Sequence, residues 1–145
     1  IEAGLPAYAE CGGLMYLSRA IVWQGKRHEM VGLIPADAVM YDRPQGRGYI
    51  RLSPSGDYPW PLAESRSVSA HEFHYSRLEN LEGNFTYAYK VERGTGIDGE
   101  HDGLRYKNLM ACYAHMRNTE THTWAVNFVE FVRHCKRHAS TATTM

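Results

Sequence analysis

Cys11 stands where a sulfur nucleophile works. Residues 5–10 before it are short and apolar enough for a strand, Gly12-Gly13 follow, and residues 14–20 read as a helix. Strand, nucleophile, two glycines and helix spell a nucleophile elbow, a sharp turn that exposes the side chain and lets neighbouring backbone approach. A helix start favours a negative sulfur, so a thiol with a lowered pKa is expected. Such a thiolate attacks an acyl or amide carbon and needs a partner to hold and return a proton, for which imidazole suits neutral pH. Among eight histidines, His115 ends the apolar run Leu109-Met110-Ala111-Cys112-Tyr113-Ala114, just before the polar Met116-Arg117-Asn118-Thr119. In open α/β sheets reacting groups gather outside the carboxyl ends of strands, which would bring Cys11 and His115 to one crevice. A histidine that merely satisfies backbone at a strand end leaves the same trace.

The elements that must position this pair follow in order. Residues 21–31 with Gly25-Lys26 at their centre read as a hairpin, residues 32–44 as extended chain, and the turn at 45–48 leads into a strand at 49–52. The stretch 53–69 is rich in Pro, Ser and Gly and reads as a surface loop. Apolar residues at 85, 87, 89 and 91 alternate with Thr86, Ala88 and Lys90, the period of a half-buried strand. A turn through Asp98-Gly99 follows, and residues 104–106 pair back. A helix over 121–138 carries Trp124, Phe128, Phe131 and Cys135 on one stripe. Residues 1–138 are expected to form the domain and residues 139–145 a disordered tail.

Composition narrows the function classes. The 145 residues suffice for one domain with a real core. Lys plus Arg and Asp plus Glu number 16 each, so nothing electrostatic calls for nucleic acid or an anionic membrane surface. No apolar run approaches the ~20 residues of a membrane span. Cys11, Cys112 and Cys135 show neither CxxC nor zinc spacing, and their odd number argues against a disulfide framework, which fits a reducing cytoplasm. The chain lacks an initiating methionine and opens almost directly on the nucleophile strand. It is therefore expected to be the C-terminal part of a longer polypeptide.

Three motifs in order, Ala9-Glu10-Cys11-Gly12-Gly13-Leu14-Met15-Tyr16-Leu17, His71-Glu72-Phe73-His74-Tyr75-Ser76 and Ala111-Cys112-Tyr113-Ala114-His115, closely resemble the cobyrinic acid a,c-diamide synthases. The likeness is to their C-terminal glutamine amidotransferase domain. It implies a class I amidotransferase-like α/β fold, a flavodoxin-like sheet flanked by helices, with its N-terminal part missing here. It also implies that Cys11 attacks the side-chain amide of glutamine, that His115 activates it, and that the ammonia released amidates a tetrapyrrole carboxylate. ATP and Mg²⁺ would belong to a missing N-terminal synthetase domain, and this chain would hold no cofactor or metal. Wider class I relatives often place a glutamate two residues after this histidine; the position here is Arg117. That departure favours a Cys–His dyad whose ring is oriented by another acceptor or a backbone carbonyl.

Glu72 and His74 have two readings, a loop beside the glutamine pocket or a turn anchored by its charged groups. H-E-x-H is not the H-E-x-x-H of zincins. Gly94-Thr95-Gly96-Ile97-Asp98-Gly99 matches G-x-G-x-x-G by letter, but a turn follows instead of a helix, which excludes a dinucleotide site. A tetrahedral intermediate needs about two N–H donors. Gly12 and Gly13 supply the near side, and the resemblance places the second donor on an upstream loop, so the isolated chain is expected to be a poor glutaminase. The resemblance makes cobyrinate or hydrogenobyrinate the default acceptor, with a sirohydrochlorin- or siroheme-like carboxylate as its rival. The same fold could instead serve as a non-catalytic module binding a tetrapyrrole or a partner domain. A homodimer is among the assemblies left open.

Overall fold

The computed structural model describes residues 1–60 and 66–142, with side chains through residue 138. In chain order the elements are β1 (Ala7–Glu10), α1 (Gly12–Leu17), β2 (Ser18–Trp23), β3 (Lys26–Glu29), β4 (Ile34–Met40), β5 (Gly46–Pro54), β6 (Val68–His74), β7 (Ser76–Glu79), β8 (Thr86–Arg93), β9 (His101–Tyr106), β10 (Leu109–Cys112) and α2 (Trp124–Ala142). Six strands form one sheet in the order β1-β10-β9-β8-β5-β6, and four form a second in the order β3-β2-β4-β7. Among the described residues, only β1 with β10 and β2 with β4 pair in parallel.

The β1–β10 pairing matters most for function. Ala7 faces Leu109 and Glu10 faces Cys112 across this parallel ladder, and the Cys11 amide extends it by donating to the Cys112 carbonyl at 2.8 Å. Both strands therefore end at one edge of the sheet. β10 is buried throughout because both its faces are covered, which explains its unbroken apolar sequence. Leu109 and Ala111 join Leu14, Leu17, Ile34 and Leu104 in one core, and Met110 joins Ile50, Leu52, Trp60 and Tyr89 in the other. Phe128 and Phe131 of α2 close that second core.

The large sheet curls. Its far strand, β6, returns to the end of β10, where His71 and His115 form an antiparallel bridge with N···O distances of 2.6 and 3.3 Å. The sheet edge that carries the nucleophile is thereby tied to the opposite edge.

Several expectations need revision. α1 stops at Leu17, since the Ser18 hydroxyl turns back to the Met15 carbonyl at 2.6 Å and residue 18 adopts extended backbone. Residues 18–20 open β2, where they pair with β3 and β4 instead of continuing the helix. The 21–31 hairpin exists with its turn at Gln24-Gly25, both at positive φ as a primed two-residue turn requires. The 53–69 stretch is not all surface. Trp60 is 1 % exposed and packs against Tyr58, Phe128 and Phe131; residues 61–65 of that stretch lie outside the described residues. α2 starts at Trp124 instead of residue 121, after a short bridge between Thr119 and His122, and ends at Ala142. Residues 143–145 lie outside the described residues.

Candidate active site

Cys11 has φ +48° and ψ −99°, a region L-residues seldom occupy and one that costs of order 1–3 kcal/mol. β1 fixes one side of this turn and α1 the other, with the Met15 amide closing the first helical turn on the Cys11 carbonyl at 3.1 Å. Gly13 lies flat against β1, where an added Cβ would sit 3.3 Å from that of Ala9. Gly12 has open space around it and is exposed.

The thiol is not poised as an anion. Burial pushes the Cys11 pKa up; the Gly12 amide opposes this, but the carboxylates of Glu10 and Asp102 add to it. A lowered thiol pKa was expected from the helix start. α1 spans only six residues, and burial outweighs its single contributing amide, with the two nearby carboxylates adding to the rise.

His115 lies just past β10 on the same edge, half-exposed, with its Nδ1 2.8 Å from Oε1 of Glu10. Oε2 of Glu10 accepts the Met116 amide at 3.0 Å and the Tyr8 hydroxyl at 2.7 Å. Burial holds the Tyr8 phenol far above its ordinary pKa, so it stays a neutral donor. A carboxylate can only accept, so Nδ1 carries the proton and Nε2 is left with its lone pair. This is the ring orientation a general base needs. Arg117, two residues on, makes no ion pair among the described residues, and Glu10 takes the place of the glutamate absent there. Among the described residues the Cys11 sulfur makes no side-chain hydrogen bond. Cys11 and His115 thus share an edge, with adjacent strands bearing them.

Glu10 escaped the sequence reading although it adjoins the nucleophile. Its signal was present: in a strand Tyr8 and Glu10 share a face, and a parallel neighbour ending at His115 puts the imidazole over that face.

Glu72 and His74 sit elsewhere. They lie on strand β6, not on a loop, and both point inward at 2–3 % exposure. Glu72 accepts the Thr95 amide at 2.8 Å and the Gly96 amide at 2.9 Å, and these contacts with His74 hold its carboxyl below the usual range despite burial. Two amides of the G-x-G-x-x-G turn, those of Thr95 and Gly96, are thus taken by a protein carboxylate and are closed to a phosphate. His74 donates Nδ1–H to the Ser76 carbonyl at 2.9 Å and stacks on Tyr113 at 3.9 Å. Beneath the same segment the fully buried Asp102 accepts the Tyr113 and Ala114 amides at 3.0 and 2.9 Å. Burial raises the Asp102 pKa to about 6 even so. His74 and Asp102 support residues 113 and 114 from below. Among the described residues no cluster of three or more His, Cys, Asp or Glu could hold a metal ion, and no helix is long and apolar enough to cross a membrane.

Comparison with known proteins agrees with this architecture. Residues 1–122 match the model of the CobB/CobQ-like glutamine amidotransferase domain. A cobyrinate a,c-diamide synthase of Magnetococcus marinus is 44 % identical over 132 residues, covering 91 % of this chain and 28 % of that protein. One from Archaeoglobus fulgidus is 40 % identical over 130 residues, again with 28 % of its length covered. The chain therefore spans little more than a quarter of these relatives. A solved Thermoplasma acidophilum protein, assigned to GMP synthase as one of its components, superposes with TM-score 0.60 at 15 % identity, over 97 % of this chain and 62 % of that one. At that identity the likeness speaks for the fold, a class I amidotransferase-like mixed α/β fold of curled sheets flanked by helices. With the match extending from the first residue past His115, the chain belongs to the CobB/CobQ-like glutamine amidotransferase domain family.

Proposed function

We propose that this chain is the glutaminase portion of an ATP-dependent cobyrinic acid a,c-diamide synthase, with Cys11 as nucleophile and His115 as general base. The observation that carries the reading is the 2.8 Å contact of His115 Nδ1 with Glu10, on the sheet edge where Cys11 follows the end of β1. The 40–44 % identity to cobyrinate a,c-diamide synthases favours cobyrinate over sirohydrochlorin or siroheme as the source of the acceptor carboxylates.

The raised thiol pKa makes proton transfer part of the attack. As Cys11 Sγ bonds to the glutamine amide carbon, its proton passes to His115 Nε2, and the carbonyl oxygen becomes an oxyanion facing Gly12 and Gly13. His115 then returns the proton to the departing nitrogen, ammonia leaves, and a γ-glutamyl thioester remains. Water attacks this ester, giving its proton to His115, and the thiol is regenerated as glutamate departs. Throughout, the Glu10 carboxylate stabilises the imidazolium and fixes the ring. The ammonia is consumed at a separate site, to which ATP and Mg²⁺ are assigned.

Cys11→Ser tests the division of labour in the full-length synthase. Glutamine-dependent amidation is expected to vanish while amidation from added ammonia persists. Retention of glutamine use, or loss of both activities in a folded variant, would overturn the assignment.

A further inference from the structure

Beyond the His71–His115 bridge the two segments part and leave a cavity of about 430 Å³. Antiparallel register carries the pairing from His71 and His115 to Ser69 and Arg117, and both of those residues line the cavity. Arg66 enters from the start of β6, and Thr119, Thr121 and Thr123 add hydroxyls from the segment leading into α2. The volume is in the range of small-molecule sites.

Its chemistry is one-sided. Two arginines line it, and among the described residues no Asp or Glu does. Neither Arg66 nor Arg117 makes an ion pair among the described residues, whereas Arg19, Arg27, Arg51 and Arg105 each hold a carboxylate. Glu92, bonded to the lining residue Ser67 through its hydroxyl at 2.7 Å, is also engaged by Arg51 at 3.0 Å. Arginine forks bind carboxylate and phosphate oxygens in pairs, and the hydroxyls can donate to the remaining lone pairs. A free amino acid fits poorly, because among the described residues nothing anionic in the wall would receive its ammonium group.

We propose that this cavity binds a dianionic oxyanion ligand that carries no ammonium: paired carboxylates or a phosphate. It is a site separate from the glutamine-cleaving pair, two residues along the chain from the base. Identifying the paired carboxylates with side arms of the amide acceptor rests on the function proposed above; the anion site itself does not.

Calorimetric titration with succinate, inorganic phosphate and glutamine tests this, using the wild-type protein, Arg66→Gln, Arg117→Gln and an Arg43→Gln control. Succinate or phosphate is expected to bind, more weakly as salt rises, with each cavity variant losing ~10-fold or more in affinity and the control losing none. Tighter succinate binding assigns the site to carboxylate arms, and tighter phosphate binding to a phosphate. The proposal is overturned if neither anion binds more tightly than about 10 mM, if the cavity variants bind like wild type, or if glutamine displaces the anion. Cys11→Ser should bind the anions unchanged, which separates failure of this site from failure of the glutaminase reading.

Discussion

Glu10→Gln is the sharpest test of how His115 is set. The carboxylate accepts three donors, His115 Nδ1–H, the Met116 amide and the Tyr8 hydroxyl. A glutamine of the same shape offers one acceptor oxygen and an NH₂ group. If its oxygen keeps the Tyr8 and Met116 donors, the NH₂ faces Nδ1, which must then give up its proton and accept. The proton moves to Nε2, the nitrogen that has to take it from Cys11. Losing a charge-assisted hydrogen bond costs about 1.5–3 kcal/mol, or ~10–150-fold. The wrong tautomer adds to this, so a fall of ~10²–10⁴ in kcat is expected, as for triad carboxylates of other hydrolases. Glutamate release by the full-length synthase measures it, with KM for glutamine and ammonia-dependent amidation as internal controls expected to stay near wild type. A folded Glu10→Gln enzyme within about threefold of wild-type kcat would refute the assignment of Glu10 as the residue that orients the base.

Two further predictions concern the scaffold. Gly94→Ala puts a Cβ 2.6 Å from Ile50 Cγ1 and 2.8 Å from Glu72 Oε1, at φ +116°, so a loss of ~2–4 kcal/mol and a Tm lower by roughly 10 °C are expected by thermal melting. Asp102 is raised to about 6 from 3.8, so the folded state binds its proton more tightly than the unfolded chain. Its contribution to stability is greatest below pH 4 and is lost as pH rises through about 6, on the order of 3 kcal/mol in all. Denaturant titrations of Asp102→Asn should lack this falling limb between pH 4 and 6, and an unchanged limb would assign it to other groups.

Much of the fold is legible in the sequence where burial is simple. β10 reads as a strand because both its faces are apolar-covered, β8 because its alternation is regular, and the elbow because few sequences put a cysteine before two glycines between a strand and a helix. Residues 71–76 read as a loop because their pattern is inverted: Glu72, His74 and Ser76 face the interior, while Phe73 and Tyr75 face outward. Hydropathy periodicity assumes an apolar inside, and here the inside is a hydrogen-bonded cluster around Tyr113. Trp60 is hidden for a similar reason, lying in a Pro- and Ser-rich stretch while much of its packing comes from Phe128 and Phe131 on α2. Glu10 required knowledge that β1 and β10 run in parallel and in register. Local pattern does not carry such long-range pairing.

Because the proposed nucleophile and its histidine's anchor are consecutive in one chain segment, the alignment of the whole reaction centre reduces to a single degree of freedom, the docking of β1 along β10. Sliding or peeling that four-residue ladder would carry sulfur and carboxylate away together and leave the imidazole stranded. Inactivation by mild denaturant should then precede loss of the global fold, and the gap between the two midpoints would measure how firmly this one strand is seated.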